Sequence, residues 1–416
     1  MQKSANLTLR KHTVGEDVLR FGNSSDLDRR ESQPAVTMSM LTAQTEVGGI
    51  ELLEGISDDA RRLCKETRVG EPFYEPDWSE AYLRAFCPKG KLVVFSAWDG
   101  QRIRAFLPLI LSKGFMCGLP VRKLAPCASV HSYRFDLVCC NGAEREEVLR
   151  ALWLEIRRFG QWDVLDLQFV KEGSGIDELM QVATRDRYYV ARKLTWRALY
   201  APYQAEPGVS ESWLAGLQRK FRANLRRTRK ELEEQGSVSF RHYSSADPNV
   251  LERFFQLEAS GWKGREGTAI ACHPSTRLYY ELVATAASRD GYFSLDFLEL
   301  NGKPISAHFA LNRNGRYQLL KAAYDESYSR YGPGHLIVQD VLRTLVPSGV
   351  TEFDFVAPPK WDETRWASKT RNHFAWFVFP RTLYGGILHF LRISGRTIIK
   401  SVLRRPHAPG VPADSE

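Results

Sequence analysis

Two Asn-Gly pairs, Asn301-Gly302 and Asn314-Gly315, cut the stretch 292–324 into three short runs rich in apolar and aromatic residues. A two-residue hairpin turn needs positive φ at both central positions, and Asn-Gly adopts that conformation with little steric strain. The runs 292–300, 303–312 and 316–324 are therefore expected as strands of an antiparallel meander. In the middle run Ile305, Ala307, Phe309 and Leu311 alternate with more polar neighbours, the pattern of a strand with one face on a core. Beyond the meander, Val338, Val341, Leu342 and Leu345 recur at helical spacing over 335–346, and Gly349 supplies a stop. A strand over 350–357 with Asp354 inside it, an irregular segment and a strand over 373–380 complete the order. Mixed strands and helices of this kind predict an α/β (α+β) fold.

The first half repeats that order loosely. A hairpin over 92–110 turns at Asp99-Gly100; after irregular segments come a helix over 144–159, Gly160, and a strand over 163–169 with Asp166 inside it. Helix, glycine, then a strand with an internal Asp occurs in both halves, which reads as a diverged duplication, with chance agreement of short patterns as the alternative. The boundary between halves is expected in 200–210, YAPYQAEPGVS. This sets lobes at 46–205 and 206–384, a C-terminal helix at 385–404, and two segments too polar or too rich in Pro and small residues to order themselves, 1–45 and 405–416.

A chain of 416 residues with 43% hydrophobic residues has enough to bury two ordinary cores. Its formal net charge of +9 favours a partner with phosphates or carboxylates: a nucleotide co-substrate, a nucleic acid or an anionic membrane. The 7 cysteines are odd in number and scattered, with no spacing for zinc or a disulfide framework, so they are expected as reduced thiols and no metal is expected. No apolar run has the length of a membrane span, and the N-terminus lacks a signal-peptide core. The expected location is cytoplasmic. No Walker loop or Ser-centred nucleophile elbow appears, so phosphoryl transfer and serine hydrolysis have no motif here.

Three places carry candidate chemistry. The segment Ser329-Arg330-Tyr331-Gly332-Pro333-Gly334-His335 lies between a strand and a helix. Its glycines permit close backbone approach to a ligand, and the helix N-terminus favours a phosphate; a glycine-rich turn before a packed helix has the same pattern. In RKFRANLRRTRK (219–230), Arg222, Arg226 and Lys230 stand four apart on one helical face, where like charges repel unless an anion relieves them. A solvated helix balanced by Glu231, Glu233 and Glu234 is the alternative. Asp354 and Tyr324 sit at or near strand ends in the second half, with His308 in the middle strand, and all three are candidates for groups that move protons. A buried capping Asp and a core His are the structural alternatives.

With those residues in view, the stretch 260–356, through SGWKGREGTAI, LNGKPISAHFAL, AAYDESYSRYGPGHLI and GVTEFDFV, resembles the GNAT-type acetyltransferase family named for CelD, associated with cellulose and exopolysaccharide biosynthesis. More distantly it is similar to the FemAB peptidyl transferases. The likeness extends more weakly to GEPFYEPDWSEAY, FLPLI and WDVLDLQ in the first half. The resemblance implies two tandem GNAT-like lobes with mixed, largely antiparallel sheets flanked by helices. It also implies transfer of an acetyl or other acyl group from acyl-CoA to an amine or hydroxyl acceptor, such as a small molecule or lipid-linked sugar of envelope polysaccharide synthesis. Gly332 and Gly334 match the glycine positions of the family's pyrophosphate loop, whereas Ser329 stands where Arg or Gln is usual, with Arg330 beside it. Donor contacts are thus expected from Arg330, Tyr331, Gly332, Gly334 and His335. Acceptor contacts are expected from Trp262, Lys263 and Lys369, with Lys360 a weaker choice, and anion contacts from Arg222 and Arg226.

The rival readings are an aminoacyl-tRNA-dependent transferase of the Fem type and a non-catalytic protein that binds an anion, nucleic acid or membrane. For 387–403, Ile387, Leu391, Ile398 and Val402 along one side and Arg392, Arg396, Lys400 and Arg404 beside it fit a helix packed on the lobe. They also fit one lying peripherally on the inner membrane.

Overall fold

The computed structural model describes residues 41–67, 71–203, 212–359, 361–367 and 369–403. The first half contains β1 (Leu41–Gly48), α1 (Glu51–Glu66), α2 (Pro76–Phe86), β2 (Lys91–Asp99), β3 (Arg102–Met116), β4 (Leu119–Pro126), β5 (Val138–Cys139), α3 (Arg145–Phe159), β6 (Val164–Lys171), α4 (Gly175–Arg185) and β7 (Tyr189–Pro202). The second contains α5 (Arg219–Glu233), β8 (Val238–Tyr243), α6 (Pro248–Ser260), the single turn α7 (Trp262–Arg265), α8 (Pro274–Arg289), β9 (Phe293–Leu300), β10 (Lys303–Arg313), β11 (Arg316–Tyr324), α9 (Pro333–Leu345), β12 (Glu352–Asp354), β13 (Lys369–Phe379) and α10 (Leu383–Leu403).

The meander forms as expected: β9, β10 and β11 pair antiparallel in sequence order, and Asn301, Gly302, Asn314 and Gly315 all have positive φ, the signature of two-residue primed turns. One mixed sheet then runs β1-β2-β3-β4-β6-β13-β7-β12-β11-β10-β9-β8. Read from its two edges inward, each half has four antiparallel strands and then a parallel one: β4 beside β6 and β11 beside β12. A helix crosses over each parallel pair, α3 and α9, because parallel neighbours cannot be joined by a tight turn. Gly160 (φ 58) ends α3, and Gly349 (φ 101) follows α9. The repeat seen in sequence is thus a repeat of topology.

The centre of the sheet departs from a simple tandem. After β6 the chain forms β7, which pairs with β12 of the second half; after β12 it forms β13, which pairs with β6 of the first. β7 and β13 lie side by side from Tyr189↔Phe379 to Tyr200↔Lys369. Each half therefore lends the other its innermost strand, and the hydrogen-bonded ladder is unbroken across the midline. β13 begins at Lys369, earlier than the 373–380 expected. At the other end, residues 41–45, placed outside the fold by their polarity, belong to β1, an edge strand in register with β2 from Leu41↔Asp99 to Gly48↔Leu92; backbone pairing holds an edge segment that its side chains alone would not. Residues 1–40 and 404–416, the linker 204–211, and Lys360 lie outside the described residues.

Apolar side chains fill both faces. On one face of the second half, Phe221 and Leu225 of α5 and Leu336, Val341 and Leu342 of α9 pack on Leu298, Ala310, Tyr317 and Phe353 of the sheet. That packing fixes the N-terminus of α9 over the ends of β10 and β11.

Candidate active site

A cavity of about 360 Å³ opens where β10 and β11 meet the start of α9. Its floor is Ser306, His308, Leu319, Ala322, Ala323 and Tyr324; its wall is Ser329, Gly332, Pro333, Gly334, His335 and Val338; Phe355, Glu363 and Trp366 close it. Five residues singled out from sequence, His308, Tyr324, Gly332, Gly334 and His335, come together here.

The turn into α9 is built by Gly332, whose φ of 61° and ψ of 52° are left-handed, a conformation costly for a residue with a Cβ. Pro333 has no N–H, and His335 and Leu336 donate to the Gly332 carbonyl (2.9 and 3.2 Å). Gly334 is thus the first-turn amide left without a partner among the described residues. A Cβ on Gly334 would meet nothing within 4 Å, so the space beside it is open to a ligand. Over the turn, Trp366 Nε1 donates to His335 Nδ1 (3.0 Å), and Phe221 of α5 packs edge-on against both rings.

These facts give a clean test. Gly334→Leu sets its Cβ in open space and replaces a poor helix former, so stability is expected to hold while affinity for a ligand in this cleft falls by roughly tenfold or more. Calorimetry paired with thermal melting reads both; undiminished affinity in the folded variant removes the loop from the site.

His308 lies on the floor, fully buried, and a row of polar residues runs from it across the sheet. His308 faces Asp296, and Asp296 faces His242, in cross-strand register on β10, β9 and β8. Tyr317 Oη donates to Asp296 Oδ2 (2.6 Å), as does Ser294 Oγ (2.9 Å), while His242 Nδ1 lies 2.7 Å from Oδ1. The single Tyr317 proton goes to Asp296, so toward His308 Nδ1, at 3.4 Å, its oxygen accepts. His308 then carries its proton on Nδ1, and Nε2 keeps a lone pair for the cleft. Burial lowers the His308 pKa to about 4, against partial support from Asp296, so the ring is neutral at physiological pH.

Asp354 is not part of this arrangement. Expected as a base, it is fully buried away from the cavity lining: Oδ2 takes Arg134 Nη2 (2.7 Å) and Arg371 Nη1 (2.8 Å), and Oδ1 accepts the Val356 amide (2.9 Å). Both oxygens are engaged by cations or backbone, and Asp354 is absent from the cavity lining, so it is not placed to meet a substrate proton. Arg134 continues to Glu71 (2.9 Å), itself held by Lys171 (2.9 Å), Arg316 (2.8 Å) and Gln318 (2.7 Å). Burial works to raise the Glu71 pKa, but Arg134, Lys171 and Arg316 outweigh it and hold the carboxyl well below the usual range. This network joins the two halves and is structural.

The remaining expected contacts divide. Arg330 lies over the Tyr331 ring, 4.5 Å from its centroid, and Tyr331 is buried in the core beside α9; neither lines the cavity. Lys263 bonds the buried Glu258 (2.9 Å) and the Ala322 carbonyl (3.0 Å), which ties it to the strand under the cleft instead of freeing it for an acceptor. Trp262 is half-exposed, its amide on Glu326 (2.8 Å). Lys369 is exposed at the start of β13, outside the lining. Arg222 and Arg226 make no ion pair among the described residues, whereas Arg227 pairs with Glu231 and Arg229 with Asp340. Both follow Phe221, which packs on the cleft residues His335 and Trp366. One carboxylate trio, Glu75, Asp77 and Asp290, is close enough to hold a cation, yet Arg313, Arg61 and Arg289 already pair with its members.

Buried histidines also set an expected pH response. Burial lowers His131 and His308 to about 4 and His373 to about 3. Each is neutral in the fold but takes a proton near 6.5 once unfolded, so the stability they give is whole above about pH 6.5 and falls as pH drops toward about 4. Asp136, lifted by burial from 3.8 to about 7, works in the opposite sense over that interval, as do His242, raised by its hydrogen bond to Asp296, and Glu75, raised by burial, whereas His389, lowered by burial, adds to the three. The urea midpoint is expected to be lower at about pH 5 than at about pH 7; a flat or rising profile toward acid would contradict this.

Residues 219–366 match the family model described as an acetyltransferase (GNAT) domain, and every residue lining the cavity lies within them. No curated protein matches the chain. Among solved structures it is similar to FemX at 11% identity, over 80% of this chain and 98% of that one, with a TM-score of 0.54. The C-terminal domain of a putative lysylphosphatidylglycerol synthetase from Agrobacterium fabrum aligns at 11% identity over 87% and 100% of the two chains, TM-score 0.48. A tandem GNAT protein from the clavulanic acid biosynthesis pathway aligns at 13% over 82% and 99%, TM-score 0.45. The chain thus carries a GNAT-type acyltransferase domain, and its overall fold is shared with FemX.

Proposed function

We propose that this GNAT-type acyltransferase takes an acetyl or other acyl group from acyl-CoA and passes it, in the cavity over β10 and β11, directly to an amine or hydroxyl. The observation that carries the reading is the convergence of a neutral, oriented histidine, an exposed tyrosine and an open glycine turn in one cleft of the matched segment. His308 Nε2 takes the proton from the acceptor N–H or O–H as that atom attacks the thioester carbonyl. The carbon–sulfur bond breaks, and Tyr324 Oη gives its proton to the departing thiolate, yielding the acylated acceptor and CoA. As His308 becomes an imidazolium, the Asp296 carboxylate, acting through Tyr317, offsets the new charge, which supports a base whose resting pKa is depressed.

The Gly334 amide and the N-terminus of α9 suit the donor pyrophosphate. The apolar side chains of Leu319, Val338 and Phe355 suit the acyl chain, and Arg222 and Arg226 suit a phosphate, either the 3′-phosphate of CoA or one on the acceptor. The resemblance to the CelD-type family supports an acceptor from envelope polysaccharide synthesis, including a lipid-linked sugar. On this reading the lobe 206–384 performs the chemistry, and the lobe 46–205 buttresses it.

The test is thiol release from acetyl-CoA and a longer acyl-CoA in the presence of pooled amino sugars and sugar-lipid fractions. Acceptor-dependent release supports the reading. Transfer from aminoacyl-tRNA with none from any CoA ester would replace it with the Fem-type reaction. No turnover with either donor, and binding that weakens steeply with salt, would favour the non-catalytic alternative.

A further inference from the structure

The C-terminal helix α10 has two apolar faces where a packed terminal helix needs one. Its inner face is seated on the sheet: Leu388 is fully buried, His389 stacks on Tyr189, and the Arg392 guanidinium lies 4.0 Å from the centre of the Phe377 ring. Tyr384 packs beside them and its hydroxyl bonds the Pro120 carbonyl. On the opposite side, at helical spacing, Leu383 is 85% exposed, Ile387 42%, Phe390 56% and Ile393 52%. Sequence periodicity set Ile387 on an apolar side that suits either packing on the lobe or a membrane surface; in the structure it faces outward. Ile398, Val402, Arg396 and Lys400 carry side chains outside the description, and Arg404 lies beyond it altogether.

A second element extends this apolar face. Phe115, at the turn between β3 and β4, is 79% exposed and stands directly across the ladder from Pro120, the residue that Tyr384 of α10 contacts. The helix and the hairpin tip, linked through the Tyr384–Pro120 contact, thus each present large apolar side chains to solvent, and four outward apolar residues on one short stretch of helix are unfavourable in water unless something covers them.

Charge indicates what covers them. From Pro380 to Ala413 the chain has no acidic residue, while Arg381, Arg392, Arg396, Lys400, Arg404 and Arg405 are basic. Arg381 and Arg392 lean on Tyr189 and Phe377 at the inner side of the helix, so the charge belongs to the segment as a whole: a second copy seated symmetrically on this helix would bring two such uncompensated basic segments together. An anionic bilayer surface instead receives the cations at its headgroups and the apolar side chains at the acyl boundary. No helix among the described residues is long and apolar enough to cross a membrane, so the contact is with the surface. We propose that the outer face of α10, together with Phe115, docks the protein on an anionic lipid bilayer. The inference stands apart from the donor reading, since none of these residues lines the cavity.

The test is co-sedimentation of the full chain with vesicles of phosphatidylcholine alone and of phosphatidylcholine mixed with phosphatidylglycerol. Pelleting with the anionic vesicles only, weakened by salt, is expected. The double variant Leu383→Asp, Phe390→Asp should reduce it by roughly tenfold or more, with the melting temperature and acetyl-CoA affinity unchanged because both side chains point into solvent. Failure to pellet with anionic vesicles at low salt, equal binding to neutral vesicles, or undiminished binding by the double variant would each overturn the proposal. A dimer in solution that the same variant dissociates would assign the face to a second copy.

Discussion

His308→Gln is expected to lower kcat by about 10²- to 10⁴-fold while the dissociation constant for acetyl-CoA stays nearly the same. Glutamine keeps a polar group of similar reach but cannot take a proton from the acceptor. The size of the effect follows from how little else near the cleft can replace it: Asp354 is enclosed by Arg134, Arg371 and the Val356 amide, and the proposed reaction assigns Tyr324 to the leaving-group side. Tyr317→Phe provides a second, independent reading. It removes the oxygen that fixes the Nδ1–H tautomer without touching the cavity, so kcat should fall by less than in His308→Gln and KM should move little. If His308→Gln retains full turnover and Asp354→Asn abolishes it in a folded protein, the base has been misassigned.

Arg134→Met is expected to destabilise the fold by about 3–5 kcal/mol, the usual consequence of stripping one partner from a buried ion pair. Arg134 is wholly buried with Glu71 at 2.9 Å and Asp354 at 2.7 Å, and both carboxylates are buried too. Glu71 keeps Lys171, Arg316 and Gln318, and Asp354 keeps Arg371, so the loss should fall toward the lower end of that range. A control is Arg84→Ala, which breaks pairs with Glu54 (2.9 Å) and Glu80 (2.8 Å) whose members all reach solvent; there the change should be about 1 kcal/mol or less. Urea unfolding of both variants decides the matter, and equal effects would mean that burial is not what gives the central network its weight.

What was readable in the sequence follows local rules. The Asn-Gly turns and the alternation around Ile305–Leu311 specify β9 to β11, since hairpin geometry depends on neighbours in the chain. Glycines and a helical repeat located α9 and, with it, Gly332, Gly334 and His335. Contacts across the chain left no such trace. Nothing in the run before Phe135 announces that Arg134 meets Asp354, 220 residues away, and the exchange of β7 and β13 is invisible to periodicity because both are ordinary strands. Asp354 misled for the same reason: an Asp inside a strand looks alike whether it caps an arginine or receives a proton. Asp296, by contrast, carried a signal that went unused. A carboxylate within the fully buried strand FSLDFLEL needs a partner, and strand pairing would have offered His308 and His242. Trp366 and Glu363 reach the cleft from a stretch without periodicity, and only tertiary packing places them.

Titration calorimetry of acetyl-CoA into the full-length protein, with desulfo-CoA and a longer acyl-CoA alongside, addresses the donor site most directly. The account predicts saturable binding at one site, lost or reduced at least tenfold in Gly334→Leu and retained in His308→Gln and in the Leu383→Asp, Phe390→Asp variant. Absence of heat with every CoA ester, or binding indifferent to Gly334→Leu in a folded protein, would contradict it.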